Sequence, residues 1–274
     1  MEKCGRVFTM TLDRYVINEG EKPLDNICSD GGFCSIFRTI GCIGDSLSSG
    51  EFESTNPECT EIGYHDMYEY SWGQYMARRL GSTVYNFSCG GMWAKQFMTG
   101  FGDAIGCFSP DKLCQAYIIA LGVNDLINVR QEVGDFSDID LDNPDNNKDT
   151  FCGWYGKIIQ KLKAQQPHAK LFLMTMPREE NANDPIKAKH REALYKLAEK
   201  FDYTYVIDLY EYAPVYDDEF KKKFYLMAHL NPMGYKLTGD MVMSYIDYII
   251  RSSPEDFCQV GFIGKGVHNY TAKW

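Results

Sequence analysis

From residue 39 onward, short apolar runs alternate with longer stretches in which apolar residues recur every three or four positions. The short runs, at 39–43, 83–87, 115–121, 170–176 and 204–208, have the length and the β-branched and aromatic content of strands. The longer stretches, at about 66–80, 92–100, 149–166, 184–200 and 234–251, read as helices. The last is the plainest, with Leu237, Met241, Val242, Ile246, Ile249 and Ile250 on one face of a 3.6-residue repeat. Strands that alternate with helices build a parallel sheet covered on both sides. The expected fold class is therefore α/β, a three-layer α/β/α sandwich on a five-stranded parallel sheet. Residues 38–251 form the expected main domain, and no segment repeats. Residues 1–37, with β-formers at 7–17 and a turn at 20–23, are too short for a domain and are expected to pack on it as an extension. Residues 252–274 carry Phe257, Phe262, Tyr270 and Trp274, enough apolar bulk to dock as a tail on the same domain.

Composition narrows the function more by exclusion than by assignment. A length of 274 residues suits one large domain with a well-buried core. The net charge of −10 argues against nucleic acid and anionic membranes as partners and is compatible with a neutral substrate. The ten cysteines include no C-x-x-C and no Cys/His set with zinc spacing, and Cys42, Cys89 and Cys114 fall in or beside strands. That usage suggests a reducing compartment. The first ten residues lack the basic-then-apolar pattern of a leader and no apolar run is long enough to cross a membrane, so a cytoplasmic location is expected. Asp138, Asp140 and Asp142 have the spacing of a calcium loop, but Asn143 stands where glycine belongs and Asp149 where glutamate does. A solvated acidic loop leading to a helix cap at Asp149 or Thr150 is expected instead.

Chemistry enters where the first strand stops. Residues 39–43 run into Gly44-Asp45-Ser46, and a serine on the turn after a strand stands at the carboxyl edge of the sheet, where open α/β folds bind ligands. The second strand runs into Cys89-Gly90-Gly91, the third into Gly122-Val123-Asn124-Asp125, and His229-Leu230-Asn231-Pro232-Met233-Gly234 opens the last helix. These four motifs, in this order, resemble those of the SGNH (GDSL) hydrolase superfamily over about two-thirds of the chain. The resemblance implies the flavodoxin-like strand order, a serine nucleophile at Ser46 and a base at His229. It also implies an oxyanion hole from the Ser46 and Gly91 N–H groups (Gly90 being the alternative to Gly91) and the Asn124 side chain. Asp45 and Asp125 are expected to brace their loops.

One position departs from the family pattern. Aspartate usually stands three residues before the histidine, and here that residue is Leu226. A main-chain carbonyl near Leu226 is the expected partner of the imidazole, ahead of Asp217, Asp218 or Glu219. Between the serine and the first helix lies an aromatic stretch, Tyr64, Tyr68, Tyr70, Trp72 and Tyr75 with His65 among them. Trp72 and Tyr75 are expected to pack on the sheet, with Tyr64 and His65 open to a role at the site. The function expected is a serine esterase that removes short acyl groups, O-acetyl groups on carbohydrate foremost, without cofactor or metal. Its expected partner is a small-molecule or oligosaccharide ester. The alternatives are a lipase-like or thioesterase activity on longer chains, and a non-catalytic carbohydrate-binding relative.

Overall fold

The computed structural model describes residue 12, residues 14–58 and residues 60–267. Part of the β-rich stretch at 7–17, with Tyr270 and Trp274, lies outside them. The strands in chain order are β1 (Thr39–Gly44), β2 (Glu51–Thr55), β3 (Ile62–Asp66), β4 (Thr83–Ser88) and β5 (Ala116–Ala120), then β6 (Lys170–Met174), β7 (Thr204–Ile207), β8 (Tyr225–Leu226) and β9 (His229–Leu230). The order β4-β1-β5-β6-β7 makes one parallel sheet, which is the flavodoxin-like arrangement.

Alternation along these strands feeds two cores. Ile40, Cys42, Ile118 and Phe172 face the helices Trp72–Leu80 and Pro232–Ser252, while Ile43, Tyr117, Ile119, Leu171 and Leu173 face Phe151–Gln165 and Asp184–Ala198. All nine of these sheet side chains are buried, as expected of strands covered on both faces. Because the sheet order reverses at β1, its neighbours β4 and β5 end on either side of it, and the three loops that follow meet at one edge.

The two-stranded hairpin β2–β3 has no counterpart in the sequence-based expectation. The helix expected from about residue 66 begins only at Trp72, because 62–66 are strand and Tyr68–Tyr70 form a 3₁₀ turn. With Phe52 as the single apolar residue in Glu51-Phe52-Glu53-Ser54-Thr55, the period-2 signal is too thin to stand out. Trp72 packs in the core as expected.

The start of the last helix is set by local chemistry. Asn231 caps it, its side chain accepting from the N–H groups of Met233 and Gly234 at 3.0 Å each, with Pro232 in the first turn. Any side chain at Gly234 would begin 2.3 Å from the Phe224 carbonyl oxygen.

The described part of the N-terminal arm runs along the same helix. Arg251 bonds Glu21, Asp247 and the Val16 carbonyl, and Asp247 also takes the Phe33 N–H at 2.7 Å. At the other terminus Phe257 stacks on Tyr205 at 5.3 Å and the Val260 carbonyl accepts from Gln115. Among the described residues no helix is long and apolar enough to cross a membrane.

Candidate active site

β1 ends at Gly44, and Asp45 turns the chain into a one-turn helix, Ser46–Ser49. Asp45 caps that turn: its side chain accepts the Leu47 N–H at 3.0 Å and its carbonyl the N–H groups of Ser48 and Ser49 at 2.9 Å. Among the described residues the Ser46 N–H, first in the turn, has no intrahelical acceptor. Burial pushes the Asp45 carboxyl up to about 7.

Gly91 follows β4 at φ 72, the left-handed region that glycine enters without strain. Asn124 opens the turn after β5, only 8% exposed, and two contacts orient its amide. Oδ1 accepts from Asn128 at 2.7 Å and Nδ2 donates to the Met92 carbonyl at 3.0 Å, which leaves the second Nδ2 hydrogen unspent. Asp125 accepts the Ala94 N–H at 2.8 Å and so ties the β5 loop to the β4 loop; burial raises its carboxyl to about 6.

His229 comes from the small hairpin β8–β9, where it pairs with Leu226 across a tight turn that holds Met227 at φ 58. A methionine in the left-handed region is strained, and the neighbouring contacts must hold it there. The imidazole is gripped from both sides by glutamates of β2. Nδ1 lies 2.5 Å from Glu53 Oε1, and Nε2 lies 3.1 Å from Glu51 Oε1. Glu53 Oε1 also accepts the Ala228 N–H at 3.2 Å, which anchors the strained turn. The period of a strand explains the pair: Glu51 and Glu53 share one face of the hairpin, and Phe52 on the other packs against Tyr70 and Tyr235.

The expected partners of His229 are thus replaced. Neither a carbonyl near Leu226 nor Asp217, Asp218 or Glu219 holds Nδ1; Asp217 caps the helix Asp218–Phe224 and Glu219 pairs with Lys222, while the Leu226 side chain is exposed. Glu53 was missed because the contact spans 176 positions of sequence. The usable signal was the Glu-Phe-Glu alternation directly after the serine loop, closed by Asn56-Pro57.

Ser46, Gly90, Gly91, Asn124 and His229 all line one cavity of 690 Å³. Among the described residues no three or more His, Cys, Asp or Glu side chains converge as a metal site would. Most carboxylates of the acidic loop have protein partners, Asp138 in Lys148 and Thr150, Asp140 in Asn146 and two N–H groups, Asp145 in Lys157 and Asp149 in Lys95.

Residues 42–237 match the GDSL-like lipase/acylhydrolase family, well over half of the chain. The chain belongs to that family. No curated protein matches the sequence. Solved structures share the fold of this GDSL-like acylhydrolase at low identity. A Corynascus thermopiles (Myceliophthora fergusii) carbohydrate esterase family 2 enzyme with a carbohydrate-binding domain is 18% identical, with a TM-score of 0.54 over 78% of this chain and 66% of that one. A Clostridium thermocellum family 3 carbohydrate esterase is 14% identical, at 0.51 over 78% and 97%. A lipolytic protein of the G-D-S-L family from Desulfitobacterium hafniense is 19% identical, at 0.50 over 76% and 99%.

The rest of the cavity of this GDSL-like acylhydrolase is mixed in character. Val123, Ile127 and Met176 give it an apolar wall, and Tyr64, 59% exposed, sets its ring edge-on to His229 at 6.3 Å between centroids. At the far side Glu179 bridges Lys187 at 2.5 Å and Lys221 at 3.0 Å. Burial opposes ionisation of Glu179, but the two ammonium groups outweigh it and hold its carboxyl below the usual range. His65 turns away to bond Ser54 at 2.8 Å.

Proposed function

We propose that this acylhydrolase is a serine esterase that cleaves short acyl esters, with O-acetylated carbohydrate as the substrate class. The observation that carries it is the convergence on one cavity of Ser46, the Gly91 loop, Asn124 and an imidazole whose Nδ1 is held by a buried carboxylate. Glu53 fixes the tautomer with hydrogen on Nδ1, so Nε2 serves as the base that takes the Ser46 Oγ proton. Ser46 attacks the ester carbonyl, and the oxyanion that develops meets the Ser46 and Gly91 N–H groups and the spare Asn124 N–H. The imidazolium then returns its proton to the departing alkoxide, and water repeats the sequence on the acyl-enzyme. The cavity volume of 690 Å³ accommodates a sugar-sized ligand, and Tyr64 offers a ring face at its rim. Two of the structural neighbours are carbohydrate esterases, which supports the substrate class.

The test is a screen of acetyl to octanoyl esters beside acetylated oligosaccharides, with Ser46→Ala as blank and a serine-directed phosphonate as label. Acetyl esters are expected to turn over best, label is expected on Ser46 alone, and Ser46→Ala is expected to be folded and inactive. Full activity in Ser46→Ala, or label elsewhere, rejects the assignment. Asn124→Ala should lower kcat about 10²–10³-fold with little change in KM, as removal of an oxyanion donor does.

A further inference from the structure

Glu51 takes no part in the reaction as drawn above, yet it sits at the reacting nitrogen. Its side chain is 10% exposed, and Oε1 lies 3.1 Å from His229 Nε2. The other oxygen packs over the β4 loop: a Cβ at Gly90 would stand 2.0 Å from Glu51 Oε2, so any larger residue there would push the carboxylate aside. The backbone beneath is fixed, since Tyr235 Oη donates to the Glu51 carbonyl at 2.7 Å and Glu51 pairs with Asp66 across the hairpin. Burial also holds its carboxyl above the usual range, against the pull of His229. The contact is therefore built into the strand.

Nε2 and Glu51 Oε1 form an ion pair only while the ring is protonated; the neutral ring that acts as base carries a lone pair on Nε2, which takes the Ser46 hydroxyl and offers Glu51 no hydrogen. When His229 acts as base, Glu51 loses that partner. Among the described residues no hydrogen bond reaches the Glu51 carboxylate, so once the ring is neutral it has no partner, and a mostly buried carboxylate without a donor is costly. Something that arrives with the ester must supply that donor. An acylated sugar brings one, because the carbon beside the ester carries a hydroxyl; an alkyl or aryl ester brings none.

We propose that Glu51 is a specificity-determining residue: it leaves His229 when substrate binds and accepts a hydrogen bond from the hydroxyl next to the ester, so that esters of sugars and other polyols are preferred over alkyl and aryl esters. The proposal rests on the esterase reading. It also gives the Tyr64 ring a consistent place, since a sugar that puts its hydroxyl on Glu51 enters the cavity whose rim Tyr64 forms.

The test compares an acetylated methyl glycoside that has a free hydroxyl on the carbon beside the ester with its deoxy counterpart, in wild type, Glu51→Gln and Glu51→Ala. Loss of the hydroxyl is expected to lower kcat/KM about 10–100-fold in wild type, the range for a hydrogen bond to a charged group. In Glu51→Ala the two substrates should differ by less than about threefold, and Glu51→Gln, which keeps the shape and an acceptor without the charge, should fall between. Phenyl acetate, with no hydroxyl to offer, should be hydrolysed faster by Glu51→Ala than by wild type, because nothing has to vacate Nε2. Undiminished discrimination in Glu51→Ala, or none in wild type, overturns the proposal. So does a collapse of phenyl acetate turnover in both folded variants, which would place Glu51 in the catalytic machinery itself. If wild type shows no Ser46-dependent turnover of any ester, the esterase reading is what fails.

Discussion

In the proposed mechanism Glu53 does for His229 what an aspartate three residues upstream does elsewhere in the family, from another place in the fold. Its side chain is 4% exposed and its Oε1 meets both the imidazole and the Ala228 N–H. A buried acid in that position stabilises the imidazolium that forms during the reaction, which a neutral group cannot. Glu53→Gln should therefore lower kcat by up to about 10⁴ while KM moves little, the loss seen when a triad acid is made neutral. Stopped-assay kinetics on an acetyl ester would check it; a KM effect alone would make Glu53 a scaffold for the turn. Ser46, Asn124 and His229 were legible because each sits inside a motif whose neighbours have their own local work, such as Asp45 capping the serine turn and Asn231 capping the last helix. Glu53 was not legible, because nothing in its own neighbourhood of sequence reports a contact made through space.

The hairpin β2–β3 is the element that makes this arrangement. One face carries Glu51 and Glu53 to the imidazole; the other sets Phe52 against Tyr70 at 5.6 Å and Tyr235 at 5.7 Å. Phe52 thus fixes the distance between the glutamates and the histidine without touching the cavity. Phe52→Ala is expected to cost about 1–2 kcal/mol of stability, less than a fully buried phenylalanine would, and to reduce kcat as well. Chemical denaturation and steady-state rates on the same variant measure both; lost stability with unchanged kcat would separate the hairpin from the chemistry. The five sheet strands were legible in the sequence because burial on both faces makes the inner strands β1, β5 and β6 almost wholly buried. A hairpin with one charged face leaves only a few alternating residues, and the aromatic stretch that follows it has the look of a helix until the strand pairing is seen.

Across the molecule, a buried cation helps to hold the N-terminal arm. The Arg251, Glu21 and Asp247 side chains are each 4–5% exposed, so removing Arg251 leaves two carboxylates without their cation. Arg251→Met should destabilise the protein by about 3–5 kcal/mol and let a protease cut the arm before the domain. The same contact sets an acid limit. The Arg251 hydrogen bond holds the Glu21 carboxyl down to about 2, from the ordinary 4.5. A depressed carboxyl stabilises the folded state above its unfolded pKa, so that contribution is complete above about pH 4.5 and is lost as the pH falls towards 2. Melting temperatures of wild type and Arg251→Met should converge over that window. The distance in sequence between Glu53 and His229 bears on a different matter, the order in which the chain becomes dangerous to esters around it. During synthesis the serine loop, the hairpin and most of the sheet leave the ribosome first, while the histidine follows 176 residues after its acid. On the proposed mechanism a nascent chain carries its nucleophile unarmed, and hydrolytic competence is expected only once the β8–β9 turn closes onto β2.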